Sequence, residues 1–288
     1  MSYHSHFISA SDGLKLHVRE YGSAVTDAVP VLCLAGLTRN AQDFSVLAEA
    51  LAARGHRVIA PDYRGRGLSD RDPDPARYDI PVELEDVFSV CTALEIADAA
   101  VVGTSRGGLL AMAMGAAKPE FLRGVVLNDV GPILEVEGLR KIAAYVGKIK
   151  PPQTWDEAIA TVKAISGDAF PALSDEDWRA LAEGSFVEKN GTLVSSYDLA
   201  LMNGLQKLDL SQPLPPLWVY FEAIAHVPVL AIRGENSMLL SQETFDAMAE
   251  RHPHLTPLLI KGQGHAPMLR DALSIEAIAN FIAALPQR

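Results

Sequence analysis

The chain has 288 residues, 49% hydrophobic and 21% charged, enough for one large domain or one domain carrying an insert. A formal charge of -11 repels nucleic acid and anionic lipid, so neither is an expected partner, and an anionic substrate would need a local cationic group. The two cysteines, Cys33 and Cys91, exclude a disulfide framework; with no secretory-like start and no membrane-length apolar run, a cytoplasmic protein is expected.

The first elements are HFISA and LKLHVREYG, which flank the turn signal Ser11-Asp12-Gly13 and read as an antiparallel hairpin. After Pro30 the unbroken apolar run VLCLAG reads as a strand, and AQDFSVLAEALAARG as a helix closing on Gly55. RVIAPD, AAVVG and GVVLND are further runs of the same kind. Between them lie the amphipathic VELEDVFSVCTALE and a helix from Arg106 to Lys118, stopped by Pro119. Such alternation means parallel strands covered on both faces, an α/β architecture.

The alternation breaks after Gly131-Pro132. From 133 to 217 the chain has helical periodicity and almost no strand-like run. GLRKIAAYVGKI, TWDEAIATVKAI, DEDWRALAEGSF and SSYDLALMNGL are the expected helices there, and the proline-rich QPLPPLW ends the region. VPVLAIRG, SQETFDAMAERH, TPLLIKG and SIEAIANFIAAL then resume the strand–helix order. The expected organisation is a core of 1–132 and 218–288, interrupted after its sixth strand by a helical insert of 133–217.

Gly103-Thr104-Ser105-Arg106-Gly107 fits G-x-S-x-G between an expected strand and an expected helix. That context favours a serine nucleophile over a plain turn with a capping serine. A serine hydroxyl needs a base, and His265, in the glycine-bracketed loop after the last strand, belongs to the same edge of the sheet. His56 precedes a strand and belongs to the opposite edge; His17, His226, His252 and His254 read as solvated or structural. The backbone N–H of Arg106 and that of Leu37, after VLCLAG, are the expected oxyanion donors. No cluster has metal-ligand spacing, His4 and His6 reading as terminal residues. With no G-x-G-x-x-G or Walker loop either, neither metal nor cofactor is expected.

VLCLAGLTRNAQDF, VIAPDYRGRGLSD, VVGTSRGGLLAM, VPVLAIRGE and GQGHAPM, in that order, resemble the α/β-hydrolase superfamily with a helical cap. The capped esterase, lactonase and C–C hydrolase branch is the most similar. The resemblance implies an α/β-hydrolase fold: an eight-stranded, mostly parallel sheet with helices on both faces and the cap over the active site. In that superfamily the chain order is nucleophile, acid, histidine, and most capped members carry the acid just after the penultimate strand. Here that stretch is IRGENSMLLSQ, with Ser237 and Met238 where an aspartate is expected and Glu235 the only carboxylate at hand. Some members carry the acid one strand earlier, where this chain has Asp129 in VVLNDVGP. Asp129 is therefore the expected acid and Glu235 the alternative; a helix cap or turn partner is the plain structural reading of Asp129.

DYRGRGLSD, with Asp62, Arg64, Arg66 and Asp70, reads as a salt-bridged loop bracing the sheet, ahead of substrate contact. Arg39 and Arg106 flank the oxyanion donors, placed either to receive a substrate carboxylate or to pair with a nearby acid. Tyr145, Trp155, Trp178, Met202 and Trp218 are candidate pocket walls, or core of the insert. The expected activity is Ser-His-Asp hydrolysis of a small carboxylic ester or lactone. C–C bond hydrolysis of a ring-cleavage product with the same triad is the alternative, and a non-catalytic ligand-binding protein the reading from another class. Dehalogenase and epoxide hydrolase chemistry is disfavoured, because those enzymes use an aspartate where this chain has Ser105.

Overall fold

The computed structural model describes residues 3–286. Its chain opens on an antiparallel hairpin, β1 (His4–Ser9) and β2 (Lys15–Tyr21). The unbroken apolar runs then form β3 (Val31–Leu34), β4 (Val58–Pro61), β5 (Ala99–Thr104) and β6 (Leu122–Asn128). Every residue of β3 and β4 is buried, as strands covered by helices on both faces require. Those helices are α1 (Ser45–Ala52), α2 (Ile80–Ala93) and α3 (Arg106–Ala117). Asp79 starts α2 by accepting from the Val82 N–H, with proline in the first turn, where a missing N–H costs nothing.

The segment 133–217 follows. It forms α4 (Val136–Tyr145), α5 (Trp155–Ser166) and α6 (Asp175–Ser185), the last opened by a reciprocal capping box of Ser174 and Asp177. It also forms a two-stranded hairpin, β7 (Phe186–Lys189) with β8 (Thr192–Ser195), where the sequence reading expects helices alone. A short helix, α7 (Met202–Gln206), ends the ordered elements of this segment, so SSYDLALMNGL is helical only in its second half. Two small apolar clusters hold the segment, one around Leu139, Tyr197 and Met202, the other around Val162, Phe170 and Trp178.

Main-chain bonds tie this segment over the carboxyl edge of the sheet. The Gly67 N–H donates to the Ser196 carbonyl at 2.8 Å, Asp198 N–H to Gly65 at 2.7 Å and Ala172 N–H to Gly262 at 3.2 Å. Asn40 Nδ2 adds a bond to the Gly184 carbonyl at 3.0 Å.

The chain returns through α8 (Trp218–Glu222), β9 (Val229–Gly234), α9 (Gln242–Arg251), β10 (Leu255–Ile260) and α10 (Ala272–Ala283). The large sheet has eight strands in the order β1-β2-β4-β3-β5-β6-β9-β10. Only β2 runs antiparallel to its neighbours, and all other pairs are parallel. From β3 the chain runs outward to β4 and then returns to β5 on the other side. The loops leaving β3 and β5 therefore diverge, opening a crevice at the carboxyl edge.

At that point helix α3 comes close enough to strands β5 and β3 to dictate glycine. A Cβ on Gly103 would lie 2.5 Å from the Gly107 carbonyl oxygen, and one on Gly107 would collide with the Leu34 carbonyl. Both obstacles are backbone, so neither can rotate away. Gly107→Ala is expected to cost about 3 kcal/mol, the upper end for overpacking. The check is a denaturant titration, and an unchanged midpoint would refute the close approach.

Candidate active site

Ser105 stands on the turn between β5 and α3 with φ 51° and ψ -112°, a conformation that side chains other than glycine rarely adopt. Its backbone is pinned on both sides. The Ser105 N–H donates to the Asn128 carbonyl at 2.9 Å, and its carbonyl accepts from Gly108 and Leu109 N–H at 2.9 and 3.2 Å. The hydroxyl is thereby lifted off the sheet toward the crevice.

His265 lies in the loop after β10, and its Nε2 is 2.9 Å from Ser105 Oγ. Its Nδ1 is 2.8 Å from Asp129 Oδ2. Asp129 directly follows β6, has φ 57° and is fully buried. Three donors share its carboxylate: Gly234 N–H reaches Oδ1 at 2.8 Å, while Ser237 Oγ, at 2.6 Å, and His265 reach Oδ2. Glu235 is exposed and accepts from the Gly262 N–H at 2.9 Å. The carboxylate brought to His265 is thus that of Asp129. A hydroxyl, an imidazole and a carboxylate bonded in series can pass the hydroxyl proton to Nε2 while the carboxylate holds the imidazole orientation.

Leu37 lies in the loop after β3, beside Ser105; a Cβ placed on its neighbour Gly36 would be 3.9 Å from Ser105 Cβ. Among the described residues neither the Leu37 nor the Arg106 N–H has a protein acceptor, which leaves both free for a ligand oxygen. The Arg106 side chain turns inward instead, with Nε donating to Glu83 Oε2 at 2.6 Å and Nη2 to the Tyr78 carbonyl at 3.3 Å. It does not line the cavity.

A cavity of about 330 Å³ opens above Ser105 and His265. The segment 133–217 supplies its apolar wall, including Ile142, Val146, Ile149, Val162 and Phe170. Arg39 and Tyr145 line it as well. Arg39 is held by a two-pronged pairing with Asp43, at 2.7 and 2.6 Å, and by Ser185 Oγ at 2.5 Å. Burial pulls its guanidinium down, but the charge and hydrogen bonds of Asp43 outweigh that and raise it above the ordinary value. Burial pushes the Tyr145 phenol up, so it enters the cavity as a neutral hydroxyl.

Trp155, Trp178, Met202 and Trp218 do not reach this cavity. Trp155 and Trp178 pack in the cluster of α5 and α6, and Met202 in the cluster around Leu139. Trp218 lies against the main core, edge-on to Phe221 at 5.7 Å and under the Arg251 guanidinium. Each ring or thioether fills the hydrophobic interior its own element needs.

DYRGRGLSD is a bracing loop. Arg64 pairs with Asp86, Asp72 and Asp12, and Asp62 with His17 at 2.8 Å. The other described histidines sit elsewhere: His56 and His226 bond backbone carbonyls, as does the buried His252, whose Nδ1 accepts from the His254 N–H, while His6 pairs with Glu20 and His4 opens β1. Among the described residues no group of three or more His, Cys, Asp or Glu could hold a metal ion, and no helix is long and apolar enough to cross a membrane.

The sequence reading gives three polar residues no part in the site. Ser237 stands where an acid is expected, and its hydroxyl instead donates to the Asp129 carboxylate. Asn128 Nδ2 donates to Thr104 Oγ1 at 3.0 Å and to the Pro267 carbonyl at 2.8 Å, joining the end of β5 to the loop of His265. Glu83 is fully buried, and its signal was available: it falls in register with Val87 and Val90 on the core face of α2.

The alpha/beta hydrolase family profile matches residues 31–277. The chain is 32% identical over 274 residues to the 3-hydroxybutyrate-oligomer hydrolase of Cupriavidus necator, covering 93% of this chain and 92% of that one. It is 29% identical over 283 residues to the 2-(acetamidomethylene)succinate hydrolase of Mesorhizobium japonicum, covering 97% and 96%. A solved alpha/beta hydrolase from Novosphingobium aromaticivorans superposes with a TM-score of 0.89 at 37% identity, across 98% of each chain. With the eight-stranded sheet and a profile match spanning most of the sequence, this chain belongs to the alpha/beta hydrolase family.

Proposed function

We infer that this chain is a serine hydrolase of small carboxylic esters or lactones, with Ser105 as nucleophile, His265 as base and Asp129 as acid. One observation carries the reading. Ser105 Oγ, His265 and Asp129 form an unbroken hydrogen-bonded series at 2.9 and 2.8 Å beneath a cavity of about 330 Å³. In the first half-reaction Ser105 Oγ attacks the ester carbonyl carbon as His265 Nε2 takes its proton. The carbonyl oxygen becomes an oxyanion held by the Leu37 and Arg106 N–H groups. The tetrahedral adduct collapses, His265 returns the proton to the departing alkoxide, and an acyl-enzyme remains. Water, deprotonated by the same imidazole, then attacks the acyl carbon, and Ser105 leaves with its proton restored. The Asp129 carboxylate fixes the imidazole and stabilises its charged form.

The cavity sits near the small end of the range for ligand sites, and its wall is apolar with a few polar groups, which suits a short acyl chain. An ester of a short hydroxy acid fits that description, and the relative from Cupriavidus necator is a hydrolase of 3-hydroxybutyrate oligomers. The segment 133–217 serves as the cap that limits chain length.

Two measurements test this. A fluorophosphonate probe is expected to label Ser105 in the folded protein, and a missing adduct sinks the serine-hydrolase reading. With p-nitrophenyl esters, acetate to butyrate should exceed decanoate at least about a hundredfold in kcat/KM. That is a loss of about 2.7 kcal/mol, which two or three methylenes without room already account for, each costing on the order of 1 kcal/mol. Turnover of ring-cleavage dienoates alone would move the assignment to C–C bond hydrolysis.

A further inference from the structure

The two amides placed to hold the oxyanion come from loops far apart in sequence, one after β3 and one after β5. A single carboxylate connects them. Glu83 Oε1 accepts from Arg66 Nη1 at 2.6 Å, and Arg66 Nε donates to the Leu37 carbonyl at 2.8 Å. Glu83 Oε2 accepts from Arg106 Nε at 2.6 Å. We propose that Glu83 is a positioning residue that, through Arg66 and Arg106, sets the separation of the Leu37 and Arg106 N–H donors, an inference that rests on the hydrolase reading above.

The chain of contacts constrains the right atoms. The peptide carrying the Leu37 N–H is held by its own carbonyl, that of Gly36, which accepts from the Arg39 N–H at 3.1 Å. The next peptide plane is held by the bond from Arg66. With the planes on both sides of Leu37 fixed, its N–H has one direction. Across the crevice, the peptide carrying the Arg106 N–H is fixed by the two helical bonds to the Ser105 carbonyl, and the Arg106 side chain ties that end of α3 to α2.

Burial argues for position over stability. Arg66 and Glu83 side chains are both 0% exposed and Arg106 is 16% exposed. A pair taken wholly out of water loses most of its attraction to desolvation, so it is a poor device for stability alone. Two guanidinium groups against one carboxylate also leave a net positive charge behind the two amides, the sign that favours a developing oxyanion. Arg66 Nη2 is buried without a partner among the described residues, so that guanidinium is oriented by its Nε and Nη1 bonds, the latter shared with the Arg64 carbonyl at 2.8 Å.

The test uses the full chain with Glu83→Gln and, where that variant fails to fold, Arg106→Met, which cuts the link while keeping the backbone N–H. For p-nitrophenyl butyrate, kcat is expected to fall about tenfold to a hundredfold, as small misplacements of reacting groups do, with KM within about twofold of wild type. The inhibition constant of a trifluoromethyl ketone, whose hemiketal oxygen occupies the same donors, should rise in proportion to the loss in kcat/KM. A folded variant with wild-type kcat overturns the proposal. So does a kcat loss with ketone affinity unchanged, which is what a mere brace would give. Wild-type protein without ester turnover or a Ser105 adduct fails the hydrolase reading itself, and the proposal with it; normal wild-type turnover with unaffected variants fails this inference alone.

Discussion

Ser105→Ala is expected to lower ester hydrolysis by about 10⁴- to 10⁶-fold, the range for removing a serine nucleophile from an intact triad. The fold should be untouched, because alanine accepts the same backbone and, among the described residues, Oγ hydrogen-bonds only His265. A sharper form of the experiment uses Ser105→Gly. At φ 51° and ψ -112° a side chain costs about 1–3 kcal/mol in strain that glycine does not incur. The glycine variant should therefore lose the same rate and melt above the alanine variant. Steady-state kinetics and calorimetry on the two proteins read both effects. Residual turnover near wild type in either would place the nucleophile elsewhere.

Asp129→Asn should cost about 10³- to 10⁴-fold in kcat with little change in melting temperature. The reason lies in the three donors around the carboxylate. If the amide oxygen stays opposite Gly234 N–H, the amide nitrogen faces His265 Nδ1 and Ser237 Oγ, where two acceptors are then needed. Nδ1 must give up its proton, Nε2 must carry one, and the imidazole can no longer act as base. Glu235→Gln, by contrast, should keep turnover within about twofold, since exposed polar changes away from such features are near neutral and Glu235 contacts the Gly262 N–H, not the histidine. Reversed outcomes for these two variants would move the acid to Glu235.

The inner strands β3, β4, β5, β6 and β9 are readable because strands sealed on both faces must be largely apolar, as VLCL and VIAP are. β1 and β2 are readable from the Ser11-Asp12-Gly13 turn between them, and β10 from the resumed strand–helix order. The β7–β8 hairpin is harder to see. Its strands FVEK and TLVS have four residues each, and β7 continues from α6 without a break. Yet Asn190-Gly191 between them, at φ 51° and 74°, is the short turn pair that favours hairpins, and it stands in the sequence in plain view. The roles of Trp155, Met202 and Trp218 are not legible in residue type, because a large apolar side chain fits a cavity wall and an interior equally well. Ser237 shows the opposite case. The departure from the expected acid was readable; that its hydroxyl would bond the displaced carboxylate depends on β6 and β9 being neighbours, which no local pattern reveals.

Asn128 and Asp129, adjacent at the end of β6, reach Thr104 and Pro267 on one side and Gly234, Ser237 and His265 on the other. The spacing of Ser105, His265 and Asp129 is thus measured sideways, from strand to neighbouring strand, and not along the chain. Nothing in that measurement passes through the stretch between 132 and 218. The sheet can therefore host inserts of different length and shape there, changing what enters the crevice while the hydrogen-bonded series beneath keeps its dimensions.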